Sequence, residues 1–77
     1  MEFHQLKGLV VLAEVKSFTR AAQMTHVVQS TLSQQIRSLE EELGVQLVAR
    51  TTRKVELTPA GKAAAEYARR LLQLRDE

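Results

Sequence analysis

Apolar residues recur at helical spacing along the first part of the chain. From Glu2 to Lys16 they form one amphipathic stripe, and a shorter helix is predicted from Ser17 to Thr25, beginning at a serine or threonine cap. A tight turn through residues 26 and 27 leads to a third helix that ends at Gly44, a candidate left-handed cap. The positions predicted to pack are Phe3, Leu6, Leu9, Val10 and Ala13, then Ala21, Ala22 and Met24, and finally Leu32, Ile36, Leu39 and Leu43.

After Gly44 the pattern changes to two short alternating runs. These runs, Val45 to Ala49 and Lys54 to Leu57, predict a β-hairpin. Thr58 and Pro59 then supply a capping hydroxyl and a first-turn proline for a last helix. That helix has coiled-coil spacing of its apolar residues, which are Ala60, Ala64, Tyr67, Leu71 and Leu74. The predicted fold class is therefore mainly α with a small β-hairpin, in the order of a winged helix-turn-helix followed by a long linker helix.

Gly8 lies inside the first predicted helix, where glycine costs about 1 kcal/mol relative to alanine. Two explanations fit this position. Either another helix approaches closely at Gly8, or the cost is simply tolerated. We favour the second explanation.

The composition narrows the range of functions. The chain has 77 residues and no cysteine, which fits one domain with a marginal core and excludes disulfides and thiolate chemistry. His4 and His26 lie far apart, so no metal site is predicted. The sequence lacks a targeting pattern and any apolar stretch near the ~18 residues that span a bilayer, so we expect a cytoplasmic protein without membrane association. A net charge of +2 permits a polyanionic partner without requiring one.

The polar side of the third helix is the first candidate binding surface. Gln29, Ser33 and Arg37 are spaced by four residues and share one stripe, with Ser30 and Gln34 beside them. Glutamine and serine are suited to hydrogen bonding with base edges in the major groove of DNA. Glu40, Glu41 and Glu42 occupy the other end of the helix, where negative charge would stay away from phosphates.

The predicted hairpin turn is a second candidate surface, with three cations and two hydroxyls suited to phosphate or minor-groove binding. These residues are Arg50, Thr51, Thr52, Arg53 and Lys54. Arg20 stands near the start of the second helix, where a cation opposes the helix dipole. Either a phosphate or a glutamate partner would account for it, and the sequence does not choose between them.

Less specific interpretations remain for each of these features. Polar residues opposite an apolar stripe are typical of any solvated helix face, and a histidine in a turn, such as His26, is usually a local hydrogen-bonder. The apolar stripe of the last helix could pack on its own domain, although dimerisation explains its length better. An enzyme is disfavoured because Asp76 is the only aspartate, the histidines lack evident partners and no glycine-rich loop is present.

One long segment of the chain resembles a known family. The run "SFTRAAQMTHVVQSTLSQQIRSLEEELGVQLVARTTRKVELTPAG", residues 17–61, resembles the N-terminal DNA-binding domain of LysR-type bacterial transcriptional regulators. Its most specific parts are Arg20-Ala21-Ala22, Gln29 to Ser33, Gln35-Ile36, Leu39-Glu40, Leu43-Gly44, Arg50, Leu57-Thr58 and Ala60-Gly61.

The resemblance implies a winged helix-turn-helix whose last helix pairs antiparallel with that of a second subunit. It also implies binding to promoter sites with imperfect dyad symmetry. By the resemblance, residues 1–58 are the DNA-binding domain and 59–77 the linker and dimerisation helix, while a C-terminal domain that binds an inducer is absent from this chain. The choice between dimer and tetramer in the full-length protein stays open. The chain departs from the family pattern at Val28, where a capping serine or threonine is usual, and at Gln34, where arginine is frequent.

These observations together predict sequence-specific binding of double-stranded DNA by a homodimer, without cofactor, metal or catalytic residues. The residues expected to contact bases are Gln29, Ser30, Ser33 and Gln34. Those expected to contact the DNA backbone are Arg20, Arg37, Thr51, Thr52, Arg53 and Lys54, and those expected at the dimer contact are Ala64, Tyr67, Leu71 and Leu74. The competing hypotheses are a protein-interaction module and a DNA-binding protein without sequence preference.

Overall fold

The computed structural model describes residues 1–50 and 55–76, and it has the predicted architecture of helices and a short hairpin. Two antiparallel strands pair with Val48 opposite Leu57 and Arg50 opposite Val55. The order confirms a winged helix-turn-helix in which the second and third helices are the paired helices and the hairpin is the wing. The elements are α1 Phe3–Val15, α2 Phe18–Met24, α3 Gln29–Leu43, β1 Val48–Arg50, β2 Val55–Leu57 and α4 Pro59–Asp76.

The helix ends follow the local signals in the sequence. The Ser17 hydroxyl accepts a hydrogen bond from the Arg20 backbone N–H at 3.2 Å, which caps α2. The Thr58 hydroxyl accepts one from the Gly61 N–H at 3.0 Å and caps α4. Gly44 ends α3 in the left-handed conformation with φ +72°. All three predicted caps are therefore confirmed.

A single apolar core joins the helices to the start of the wing. Its fully buried side chains include Leu9 and Leu12 of α1, Leu32 and Ile36 of α3, and Leu47 just before β1. The buried residues Ala21 and Ala22 let α2 approach this core closely. Burial of the apolar stripe of α3 is the packing that orients this helix within the domain.

The prediction that Met24 and Leu43 pack is wrong, as these side chains are 52% and 40% exposed. Each occupies the last turn of its helix, past the elements that cover the buried stripe. Residues 41–46 are all exposed, so the end of α3 projects from the core. Phe3, in the first turn of α1, is likewise 40% exposed. Helical periodicity identified the correct face of α3, but in α1 it missed the fully buried Leu12. It also did not give the distance along each helix over which the apolar face is covered.

The preferred explanation for Gly8 is also wrong. Gly8 is buried, and a Cβ atom at this position would lie 2.8 Å from Cδ1 of Leu32. The approach of α3 to α1 therefore accounts for the glycine.

The last helix packs against α1 and against the segment before β1. Ala65 and Ala68 are buried, and an added Cβ at Gly61 would lie only 2.0 Å from the Leu47 carbonyl oxygen. In the predicted apolar stripe, Ala60 and Ala64 pack partly against the core, whereas Tyr67, Leu71 and Leu74 are 68%, 49% and 69% exposed. The alternative that this stripe packs on its own domain therefore fails for these three larger residues.

Candidate nucleic-acid interface

The turn between α2 and α3 is held by backbone hydrogen bonds. The Thr25 N–H donates to the Ala21 carbonyl at 3.0 Å, and the Val27 N–H donates to the Ala22 carbonyl at 3.0 Å. Between them, His26 has a positive φ of 60°, and its N–H donates to the Gln23 carbonyl at 3.3 Å. This geometry gives His26 a local role in the turn and brings the chain directly into α3.

The polar stripe of α3 faces away from the core. Gln29, Ser30, Gln34 and Arg37 are exposed and Ser33 is half-buried, while Leu32, Ile36 and Leu39 on the other side are fully buried. The predicted base-contacting residues are therefore brought together on one accessible helix face. Their uncharged amides and hydroxyls, with one guanidinium, form a surface of hydrogen-bond donors and acceptors suited to the major groove.

One residue of α2 contacts this stripe. The Thr19 hydroxyl donates to the Gln29 side-chain oxygen at 3.0 Å, between two exposed side chains. Sequence analysis did not identify Thr19, because nothing in the helical spacing of α2 marks which exposed side chain lies beside α3. Within α3 itself, the Gln34 amide donates to the Ser38 hydroxyl at the longer distance of 3.4 Å.

The glutamates at the other end of α3 have different environments. The Glu40 carboxylate accepts hydrogen bonds from the backbone N–H groups of Leu47 and Val48 at 2.8 and 3.2 Å. Glu42 pairs with the N-terminal ammonium group at 2.8 Å, and Glu41 is exposed. The three carboxylates are alike in the sequence pattern, so the role of Glu40 in joining α3 to the wing was not predicted.

The wing extends from this junction. Val48 at the start of β1 is buried and pairs with Leu57, and the described part of the hairpin ends at the pair formed by Arg50 and Val55. The predicted backbone contacts in the hairpin turn, at Thr51, Thr52, Arg53 and Lys54, lie outside the described residues. The structure therefore establishes how the base of the wing is anchored to α3.

Arg20 lies on the exposed side of α2. In the parts of the chain that the structure describes, its guanidinium makes no ion pair with a glutamate. This removes the support for a glutamate partner and leaves the phosphate interpretation of Arg20 as a prediction.

A second surface lies on the side formed by α1, β2 and α4. A groove of about 290 Å³ there has an apolar floor that includes Val10, Ala13 and Leu57. Glu66 stands at its rim, where a hydrogen bond from Arg69 at 2.6 Å lowers the pKa of its carboxyl group.

Across the described ranges, no cluster of histidine, aspartate and glutamate side chains could hold a metal ion. None of the described helices is long and apolar enough to cross a membrane.

Comparison with known proteins identifies the family. The model for bacterial regulatory helix-turn-helix proteins of the lysR family matches residues 3–62, which include the paired helices and the wing. The chain belongs to the LysR family. Among curated relatives, a hydrogen peroxide-inducible genes activator from Pectobacterium carotovorum subsp. carotovorum is 53% identical over 73 residues. The match covers 95% of this chain and 24% of the relative, so the chain spans about a quarter of that protein's length.

Solved LysR-family structures share the fold closely. Full-length OxyR from Pseudomonas aeruginosa is 38% identical with a TM-score of 0.95, over 99% of this chain and 26% of that one. The complex of the BenM DNA-binding domain with catB site 1 DNA is 45% identical with a TM-score of 0.93, over 99% of this chain and 84% of that one. This LysR domain therefore has the same arrangement of helices and wing as a domain that was solved on DNA.

Proposed function

We propose that this chain is the DNA-binding module of a longer LysR-type transcriptional regulator in the bacterial cytoplasm, and that it binds promoter sites of dyad symmetry as a homodimer. The main support is the exposed stripe of uncharged hydrogen-bonding side chains on α3, opposite a fully buried apolar stripe. The close similarity to a LysR-family domain in complex with DNA adds independent support. The matched family is one of regulatory proteins and the relative named above is a gene activator, so neither supports a catalytic role.

In this proposal different parts of the chain contact different parts of the DNA. The first turns enter the major groove, where Gln29, Ser30, Ser33 and Gln34 contact base edges. Arg37, further along the exposed face, and Arg20 on α2 reach phosphates at the edge of the groove. The residues of the hairpin turn, 51–54, hold the DNA backbone from the wing. The inducer of the longer regulator binds outside this chain, in a C-terminal domain.

Dimerisation through α4 is the second part of the proposal. Tyr67, Leu71 and Leu74 form an exposed apolar stripe at intervals of four and three residues, the spacing of a helix that pairs with another. Ala64 lies nearer the core on the same helix and would sit at the edge of this contact. Two copies paired along a two-fold axis would present two recognition helices to an inverted repeat.

The experiment that tests DNA recognition is selection from a random duplex pool at near-physiological salt. We expect enrichment of an inverted repeat. Gln29→Ala should reduce the preference at one position of each half-site by about 1–3 kcal/mol, the range of a bidentate base contact. Gln46→Ala is the matched control, since Gln46 is an exposed glutamine outside the stripe.

Each outcome of the selection has a defined meaning. Retention of DNA without enrichment would favour binding without sequence preference, and absence of retention would favour the protein-interaction module. A preference profile of Gln29→Ala that equals the wild-type profile would remove Gln29 from the base-contacting set.

The dimer is tested separately by sedimentation equilibrium. Leu71→Ser should raise the dimer dissociation constant by at least about tenfold, because fully burying a leucine contributes about 1.5–3 kcal/mol. Leu43→Ser is the control, since Leu43 is exposed to a similar degree, 40% against 49%, and does not lie on α4. Equal dissociation constants for the two variants would contradict a contact through this stripe.

A further inference from the structure

The exposed stripe of α3 is joined to α2 at one point. Gln29 accepts a hydrogen bond from the Thr19 hydroxyl at 3.0 Å. Among the described residues, no other side chain of the stripe is hydrogen-bonded to a side chain of a different helix. Gln29, which has the clearest capacity for base recognition, is thus also the residue that α2 holds through Thr19.

The Thr19 hydroxyl is a well-defined anchor for this bond. Thr19 is the second residue of α2, two positions after the Ser17 cap, and α2 is fixed to the core by the buried Ala21 and Ala22. A β-branched side chain in a helix has few rotamers available. Gln29, by contrast, has a long side chain with several rotatable bonds at the first position of α3. Without the hydrogen bond, its amide would sample many orientations.

The bond leaves the amide able to contact a base. A side-chain amide oxygen has two lone pairs and the amide nitrogen has two hydrogens. Thr19 uses one lone pair, so one acceptor site and both donors of Gln29 remain. These suffice for the paired hydrogen bonds that glutamine makes with adenine N6 and N7. A base-contacting side chain that is held in place by a second residue binds its target with less loss of conformational freedom.

We propose that Thr19 is a positioning residue that sets the base preference of the domain by holding Gln29 through this hydrogen bond. The inference rests on the proposed function, because it requires Gln29 to contact a base. It assigns to α2 a share in sequence discrimination that acts through a residue of α3. The alternative is that Thr19 contacts a DNA phosphate directly, which would strengthen binding to every sequence equally.

The test compares variants at residue 19 in two backgrounds. Thr19→Val removes the hydroxyl and keeps the shape, Thr19→Ala removes it with a better helix former, and Thr19→Ser retains it. Each variant is made in the wild-type chain and in Gln29→Ala. Thr31→Val is the matched control, because Thr31 is an exposed helical threonine on α3 outside the stripe. Thermal unfolding of each variant confirms that the fold is retained.

The measured quantity is the dissociation constant for a duplex changed at the position that Gln29→Ala identifies, divided by the dissociation constant for the selected duplex. We expect Thr19→Val and Thr19→Ala to reduce this ratio by roughly two- to tenfold, the range of one net hydrogen bond. Thr19→Ser and Thr31→Val should both keep the wild-type ratio. In the Gln29→Ala background, no variant at residue 19 should change the ratio further.

Two results would overturn the inference while leaving the proposed function intact. An unchanged ratio with equally weakened binding to both duplexes would place Thr19 on the backbone, and unchanged binding to both would give it no role. If the wild-type chain enriches no sequence in the first place, the proposed function fails before any variant is made, and the inference fails with it.

Discussion

The two ends of the recognition helix are built differently. At its C-terminal end, Gly44 closes α3 and the Glu40 carboxylate accepts hydrogen bonds from the N–H groups of Leu47 and Val48. The Leu47 carbonyl in turn accepts from the Thr58 N–H at 3.0 Å and lies against Gly61 of α4. At its N-terminal end, Val28 offers no side-chain cap, and the one side-chain hydrogen bond to α2 in the described structure joins Thr19 to Gln29.

The C-terminal end of α3 therefore positions the helix in the domain, whereas the N-terminal end carries the side chains that we propose contact DNA bases. The C-terminal end links α3 to the wing and to α4 through buried or backbone groups, so a change there displaces several elements together. The N-terminal end carries its polar side chains on the surface, so a change there alters chemistry with little effect on packing. Under the proposed function, substitutions at the first turns of α3 would change base preference without rebuilding the rest of the domain. Three substitutions test the contrast through the free energy of unfolding.

The largest effect is expected at the junction of β1 and α4. Gly61→Ala would place a Cβ 2.0 Å from the Leu47 carbonyl oxygen, which belongs to the backbone and has little room to move. We expect a loss of about 3 kcal/mol in the free energy of unfolding, measured by urea denaturation. Gly8→Ala is the comparison, since its Cβ would lie close to side-chain atoms of Leu32 and Gln35, which can shift, and to no backbone atom; we expect a smaller loss there. If Gly8→Ala is as destabilising as Gly61→Ala, the backbone at the Leu47 carbonyl moves to accept the added methyl group, and the junction of β1 and α4 is not rigid.

A smaller loss is expected when the link between α3 and the wing is removed. Glu40→Ala leaves the N–H groups of Leu47 and Val48 without this acceptor, which should cost about 1–3 kcal/mol. Glu40→Gln retains an acceptor oxygen and should cost less. Amide hydrogen exchange at Leu47 and Val48 would report the loss locally. The exposed neighbour Glu41 serves as control, and a Glu41→Ala variant that matched Glu40→Ala would contradict the anchoring role.

The smallest effect is a gain at the N-terminal end. Val28 is 66% exposed and has the extended backbone of an N-cap, with φ −77° and ψ 156°. Val28→Ser should therefore stabilise the domain by about 1 kcal/mol, because its hydroxyl can accept a hydrogen bond from the first turn of α3. Val28→Ala, which removes the same methyl groups without adding a hydroxyl, is the control in thermal unfolding. Equal stability of the two variants would show that α3 gains nothing from a cap there.

Much of the candidate site was predictable because it lies on one helix. The spacing of Gln29, Ser33 and Arg37 placed them on one face, and the buried residues Leu32 and Ile36 confirm that this face is opposite the core. Thr19 and Glu40 were not predictable in their roles. Each contacts a residue in another segment of the chain: Thr19 of α2 contacts Gln29 of α3, and Glu40 of α3 contacts Leu47 just before β1. Side-chain spacing within one helix carries no information about such contacts.

The sequence by itself determined the number and order of the elements and the ends of the helices, since caps such as Ser17, Gly44 and Thr58 act on groups within a few residues of themselves. It did not determine the strand ends, since β1 begins at Val48 and not at the predicted Val45. It also determined which face of α3 is apolar. Only the tertiary structure decided that Gly8 and Gly61 are points of close contact and that Leu43 is exposed. Those outcomes depend on where one helix meets another, which is set by packing between residues distant in the chain.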